Sequence, residues 1–219
     1  MTAQLDRGRL LAWTALVSAL ALLGYASRAS GGKPPANAAY QYTTAIGGVV
    51  QYGIILAIVL AIARPEWRRL LALRRPTSYR RAVTTALGVL AVVYVISAIV
   101  SSFSHPDREQ GLTPEHWDPH RATPYAVNFV VFVVVAPVIE ELTFRGLGYS
   151  LLEPLGRTAA VLWVGVAFGL AHGLLEALPI LIAFGAGLAL IRARTDSVYP
   201  GMVVHGLFNA IALIVSVTT

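Results

Sequence analysis

The chain has 219 residues, of which 56% are hydrophobic and only 13% are charged. A soluble domain carries about 25% charged residues, so this composition excludes an ordinary soluble protein and predicts an all-α, polytopic bundle of membrane helices. Arginines that orient such helices explain the net charge of +6 without nucleic acid as a partner. The absence of cysteine excludes disulfides, a thiol nucleophile and a cysteine-ligated metal.

Seven hydrophobic segments form a single predicted membrane domain over residues 1–219. Residues 1–123 hold variable N-terminal helices and an outer loop, and residues 124–219 form the motif-bearing core. The sixth segment is short and has Pro179 near its start, so we expect it to be tilted or only partly spanning. The segments run Leu10–Ala26, Tyr40–Ala63, Ala82–Phe103, Tyr125–Leu152, Thr158–Leu174, Ala177–Ile191 and Val198–Val217.

The first segment also has the outline of a signal peptide. Arg7 and Arg9 precede its apolar stretch, and Ala36-Asn37-Ala38 resembles a small-residue cleavage site. That site lies far beyond the apolar stretch, so we favour a retained helix. Cleavage would leave six helices in the same orientation.

The distribution of lysine and arginine predicts the orientation. With the N-terminus inside, 13 of these residues fall in inner loops and 4 in outer loops. This bias predicts that the integral, multi-pass protein has its N-terminus in the cytoplasm and its C-terminus outside. The short chain, rich in Ala, Val, Leu and Arg, indicates a bacterial cell membrane. The four predicted outer cations are Arg28, Lys33, Arg108 and Arg121.

Glu140 and Glu141 lie within the apolar fourth segment. Carboxylates are costly in hydrocarbon, so such a pair indicates a functional site. Glu141 and Arg145 are spaced i, i+4 and can pair on one helix face, which leaves Glu140 free to face a cavity and to activate water as a general base. Pro137 should loosen the helix nearby. A purely structural ion pair fits the spacing equally well.

Two later segments carry histidines. His172 follows Phe168 by one turn, and a packing role alone would explain it. His205 and Asn209 are also spaced i, i+4, so they project to one side and could donate hydrogen bonds to an oxyanion or simply link helices. Counting helical rise from the inner boundary places Glu140 and His172 roughly 20 Å deep, but His205 only about 10 Å deep.

Taken together, these groups suit amide hydrolysis, which needs a base, oxyanion donors and an acid for the leaving amine. Glu140, His172, His205 and Asn209 provide groups of these kinds. Glu140, His172 and His205 could alternatively hold a zinc ion with an open position.

In these motifs the chain resembles the CAAX-protease and bacteriocin-processing family, also called Abi or CPBP. The resemblance rests on Glu140-Glu141 with Arg145, on Phe168 with His172, and on His205 with Asn209, in that order on successive helices. It covers about Ala136 to Ala210, roughly a third of the chain.

The resemblance implies an intramembrane endopeptidase acting on a membrane-associated or lipidated peptide or protein at the bilayer. It implies that Glu140 activates water with help from His172, that His205 and Asn209 stabilise the oxyanion, and that Glu141, Arg145 and Phe168 support them. The cofactor stays open, with a mechanism without a permanent metal favoured over zinc.

Two other functions fit the same residues. A non-enzymatic membrane scaffold, or a bacteriocin self-immunity factor, would bind a partner through its helices. A small proton-coupled transporter would use buried Glu and His as relays, although the sequence has no inverted repeat. A prenylated C-terminal tetrapeptide is the family's eponymous substrate, and no feature of the sequence identifies a prenyl groove.

Overall fold

The computed structural model describes residues 5–32, 37–106, 109, 114 and 116–218. Those residues contain no β-strand, so the predicted all-α bundle is confirmed. A 3₁₀ turn at Ala38–Tyr40 and a short helix at Trp67–Leu70 lie between the longer helices. The longer helices are α1 (Arg7–Ala29), α2 (Tyr42–Ala63), α3 (Tyr79–Ser101), α4 (Pro119–Leu155), α5 (Arg157–Ala171), α6 (Leu178–Thr195) and α7 (Tyr199–Thr218).

Six of these helices are long and apolar enough to cross a membrane. Helix α5 has only 15 residues, which makes it about 22 Å long against a hydrocarbon core of roughly 30 Å. The prediction that the sixth segment is the short one is wrong. Helix α6 has 18 residues and continues past Ile191, because Arg192 is buried in the fold and forms an ion pair with Asp196 instead of marking the membrane boundary.

Ion pairs between loops define one face of the bundle. Arg9 lies 2.9 Å from Glu66, and Arg74 lies 2.8 Å from Asp196. The N-terminus, the α2–α3 loop and the α6–α7 turn therefore share this face, which we call the arginine face. The arginine count predicts that this face is cytoplasmic.

The opposite face carries its own contacts between segments. Arg28, at the end of α1, lies 3.4 Å from Glu109 in the outer loop. The Tyr125 hydroxyl, near the start of α4, donates to the Leu213 carbonyl on α7 at 2.8 Å. Lys33 and Arg108, two of the predicted outer cations, lie outside the described residues, as does Ala36 of the candidate cleavage site.

Helix α4 is 37 residues long and contains two π-helical stretches, Val131–Val135 and Leu142–Gly148. An α-helical N–H bonds the carbonyl four residues back, and a π-helical N–H bonds the carbonyl five residues back. Pro137 has no N–H, so it can donate to neither Val133 nor Phe132. Each of these two carbonyls therefore loses one possible donor within the helix, which leaves room for a donor from a neighbouring helix.

Helix α1 is anchored to α4 through Trp13. The indole N–H donates to the Thr143 carbonyl at 2.9 Å, and Trp13 is only 4% exposed. The ring occupies the space beside Gly148, where any Cβ atom would overlap it. One hydrophobic core therefore includes residues from both the N-terminal portion and the motif-bearing core.

The α6–α7 turn is buried beneath the arginine face. Thr195, Ser197 and Val198 are all fully buried. The Thr77 N–H donates to the Thr195 carbonyl at 2.9 Å, so the α2–α3 loop covers the turn. Helix α7 thus begins beside a buried turn. The expectation that His205 and Glu140 lie at different depths is wrong, since Nε2 of His205 lies 3.7 Å from Oε2 of Glu140.

Candidate active site

Glu140 lies at the centre of a polar cluster inside the bundle. Its Oε1 accepts a hydrogen bond from the Tyr52 hydroxyl on α2 at 2.6 Å. Its Oε2 lies 3.9 Å from Nε2 of His172 and 3.7 Å from Nε2 of His205. Both separations exceed a hydrogen bond. The structure therefore brings the three residues together, with one carboxylate oxygen held and the other facing two imidazole nitrogens.

Glu141 and Arg145 form the predicted ion pair one turn apart. Arg145 Nη1 lies 2.9 Å from Glu141 Oε1, and both side chains are 0% exposed. Arg145 also donates to the Gly185 carbonyl on α6 at 3.0 Å, whereas Glu141 Oε2 has no hydrogen-bond partner. This pair ties α4 to α6.

The contacts of each histidine fix which nitrogen faces Glu140. Nδ1 of His172 lies 2.7 Å from the Phe168 carbonyl, which can only accept, so Nδ1 carries the proton. Nδ1 of His205 lies 3.2 Å from Glu141 Oε1, the oxygen that also accepts from Arg145, so a proton on this nitrogen completes a hydrogen bond to the carboxylate. Each ring therefore presents Nε2 to Glu140.

Phe168 supports several members of the cluster at once. The Arg145 guanidinium lies over the Phe168 ring, 4.2 Å from its centroid. The Phe168 ring centroid is 4.5 Å from the His172 ring centroid and 5.8 Å from the His205 ring centroid. Phe168 shares a face with His172 as the i, i+4 spacing indicates. His172 itself follows the last residue of α5 instead of lying within the helix.

Small residues allow α5 and α6 to approach closely enough to hold this arrangement. A Cβ atom at Gly185 would lie 3.0 Å from the Gly165 carbonyl, and one at Gly165 would overlap Ala186. Such contacts are typical of membrane helices that pack through small side chains. The close approach brings the Gly185 carbonyl within reach of Arg145.

Asn209 donates a hydrogen bond to a backbone carbonyl of α4 to which Pro137 cannot donate. Its Nδ2 donates to the Phe132 carbonyl at 2.9 Å, one of the two carbonyls that Pro137 cannot satisfy. Gly206, one turn earlier on α7, lies against the other, the Val133 carbonyl. Asn209 and His205 line one cavity, as their spacing predicts.

Two cavities meet at the polar cluster. The first, of about 210 Å³, lies between α4, α6 and α7 and contains all four predicted catalytic residues in its wall. The second, of about 180 Å³, extends toward Leu20 on α1 and Ile55 on α2. Tyr52, Glu140 and His172 line both cavities and form the partition between them.

Glu140, His172 and His205 are the candidate ligands of a metal ion. Throughout the described ranges, no three His, Cys, Asp or Glu side chains are arranged to hold a metal ion. The residue types would suit zinc, and Glu140, His172 and His205 do not form such a group as their side chains are positioned.

Sequence reasoning missed two residues of the site. Tyr52 was counted only as part of an apolar segment, although a hydroxyl at membrane depth needs a partner and so points to a polar neighbour. Phe184 packs edge-on against His205, with the centroids 5.2 Å apart, and stacks on Phe208 at 4.5 Å. No spacing signal distinguished Phe184 from other apolar residues of α6.

Comparison with known proteins bears on the same residues. Residues 122–211 match the model of the family described as Type II CAAX prenyl endopeptidase Rce1-like. The resemblance drawn from the three motifs is confirmed. The matched range contains every predicted site residue, whereas Tyr52 lies outside it.

The chain is also similar to a Bacillus subtilis (strain 168) protein described as "Putative membrane peptidase YdiL". The two are 24% identical over 188 residues, which cover 84% of this chain and 76% of that protein. No solved structure matches the chain. These matches support an intramembrane protease in general.

Proposed function

We propose that this protein is an intramembrane endopeptidase that hydrolyses a peptide bond of a membrane-associated or lipidated substrate with water activated by Glu140. The observation that carries the proposal is the position of Glu140 Oε2. It faces two imidazole nitrogens in a cavity inside an apolar bundle, while Tyr52 holds the other carboxylate oxygen. An acceptor so oriented suits a general base.

In the proposed reaction, Glu140 Oε2 takes a proton from water as the water oxygen attacks the substrate carbonyl carbon. The tetrahedral oxyanion then collapses, the C–N bond breaks, and protonated Glu140 gives its proton to the leaving amine. Nε2 of His172 holds a lone pair when the ring is neutral, so it can accept the second water hydrogen and orient the attack.

His205 and Asn209 are the proposed hydrogen-bond donors to the oxyanion, and the charges around His205 decide whether it can donate. Its Nδ1 proton points to Glu141, so only the imidazolium form can also donate from Nε2. That form balances the cluster: two carboxylates on Glu140 and Glu141, against one guanidinium on Arg145 and one imidazolium. Asn209 has a second Nδ2 hydrogen beyond the one it gives to Phe132.

The proposal includes no permanent metal, because every step uses groups that the chain itself provides. Activity of the purified protein should then persist in a strong chelator such as EDTA. Loss of activity with EDTA and its recovery with zinc would assign the same residues to a metalloprotease instead.

The decisive experiment compares protein termini in cell membranes expressing the wild type, Glu140→Gln or Glu153→Gln at matched levels. Glutamine keeps the shape of Glu140 and removes its basicity, whereas Glu153 is an exposed glutamate near the arginine face. New termini should appear with the wild type and Glu153→Gln and be absent with Glu140→Gln.

Unchanged cleavage by a folded Glu140→Gln variant would refute the proposed base. Identical termini in all samples, with each protein folded and abundant, would favour the scaffold or immunity function. A pH-dependent ion flux in liposomes without new termini would favour the transporter.

A further inference from the structure

A separate polar cavity lies on the arginine face, away from the two cavities that meet at Glu140. It has a volume of about 490 Å³ and is lined by arginines from three helices: Arg81 on α3, Arg157 on α5 and Arg194 on α6. Their guanidinium groups share the cavity with three hydroxyl side chains and one carboxylate, those of Thr77, Thr84, Thr85 and Asp196.

The described residues leave the three arginines of this cavity without an ion-pair partner. Its carboxylate, Asp196, is already engaged by Arg74 at 2.8 Å and by Arg192 at 2.7 Å. Arg194 reaches only the Thr85 hydroxyl, at 3.5 Å. Among the described side chains, the ion pairs within 4.0 Å include none of the three cavity arginines.

An apolar groove continues from this cavity toward the middle of the membrane. The groove, of about 430 Å³, shares Thr84, Thr85 and Arg194 with the cavity and runs between α3, α5 and α6. A Cβ atom at Gly88 would meet nothing within 4 Å, so the groove is open there. Its apolar wall is formed by Gly88, Val89, Val92, Val161, Ala183, Ala186, Gly187 and Leu190.

We propose that the cavity and groove together bind one anionic phospholipid. Guanidinium groups and hydroxyls bind phosphate oxygens, and basic cavities between membrane helices suit anionic headgroups. The adjoining groove fits an acyl chain because it leads from the charged face along about 12 Å of α3, from Thr84 to Val92. A free phosphate would use the arginines and leave the groove without a role.

The test measures which lipids stay bound to the purified full-length protein. The wild type is reconstituted in vesicles of equal phosphatidylglycerol and phosphatidylcholine, extracted in a mild neutral detergent, and analysed by native mass spectrometry. We expect one phosphatidylglycerol retained per chain, with phosphatidylcholine retained several-fold less.

Two variants separate the headgroup site from the chain site. Arg81→Gln/Arg194→Gln should weaken phosphatidylglycerol binding about 25-fold, since each cation near an anionic headgroup contributes about fivefold. Arg80→Gln, which removes a neighbouring arginine outside the cavity, is the matched control and should retain the lipid. Gly88→Leu should block the acyl chain while leaving the arginines in place, and Gly47→Leu tests the same change at another open helix glycine.

Several outcomes would overturn the proposal. If the wild type retains the two lipids equally, the cavity does not select an anionic headgroup. If Gly88→Leu retains as much phosphatidylglycerol as Gly47→Leu, the groove does not bind the acyl chain. Thermal stabilisation by inorganic phosphate that Arg81→Gln/Arg194→Gln abolishes, without selective lipid retention, would assign the cavity to a free anion. If the double variant does not fold, the comparison of lipid retention by Gly88→Leu and Gly47→Leu tests the proposal by itself.

Discussion

Replacing Arg145 with methionine should destabilise the protein strongly, because it leaves a fully buried carboxylate without its partner. Breaking a buried ion pair from one side costs roughly 3–5 kcal/mol. His205, 3.2 Å from Glu141, offers some compensation, so we expect a loss near the lower end, about 3 kcal/mol. In Glu141→Gln/Arg145→Met no charge is stranded, and the remaining cost should be about 1 kcal/mol for the lost bond to Gly185.

Unfolding in mixed dodecyl maltoside and SDS micelles would measure these differences. Arg192→Met is a matched control, because Arg192 is also almost fully buried but its partner Asp196 is 49% exposed and keeps a second arginine. The control should cost less than Arg145→Met. The reasoning fails if Arg145→Met stays within about 1 kcal/mol of the wild type, or if the double variant is no more stable than the single one.

Three further predictions concern other parts of the fold. Tyr52→Phe should lower kcat about tenfold with little change in KM, because the proposed base loses its 2.6 Å hydrogen bond, and a bond to a charged group contributes about 1.5–3 kcal/mol. Steady-state assays on the substrate found by terminus analysis would test this, and an unchanged kcat would contradict it. Gly201→Ala should cost about 1–3 kcal/mol because its Cβ would overlap the buried carboxylate of the ion pair, whereas Gly53→Ala, which meets nothing within 4 Å, should be neutral or stabilising. Hydrogen bonds from Arg9 and Arg69 lower the pKa of the partly exposed Glu66, so its contribution to stability is present above the unfolded-state pKa and disappears as the pH falls through the folded-state pKa. Glu66→Gln should flatten the acid limb of a stability–pH curve, and parallel curves for the variant and the wild type would refute this.

Short-range spacing predicted the pairs of the site correctly. The i, i+4 rule predicted the Glu141–Arg145 contact and the common face of His205 and Asn209, because four residues complete about one helical turn. These contacts depend only on the local helix, so one sequence is enough to find them.

Contacts between distant helices were harder to predict. Tyr52 meets Glu140 across 88 positions of sequence, and nothing in the apolar pattern of α2 indicates which face it presents to α4. The expected difference in depth between His205 and Glu140 was wrong for a related reason. Hydropathy placed the start of α7 at Val198, within one residue of the observed Tyr199. The depth of one helix relative to another depends instead on how the helices pack, which the apolar pattern does not give.

The partition formed by Tyr52, Glu140 and His172 has a consequence for how products would leave. If the proposed substrate crosses this partition, a peptide bond cut at Glu140 leaves one new end in each cavity, one bounded by α6 and α7 and the other reaching α1 and α2. Each fragment could then depart by its own route, so that release of one would not wait for the other. The separation would also keep the new amine from meeting the new carboxylate again, which would disfavour resynthesis of the bond.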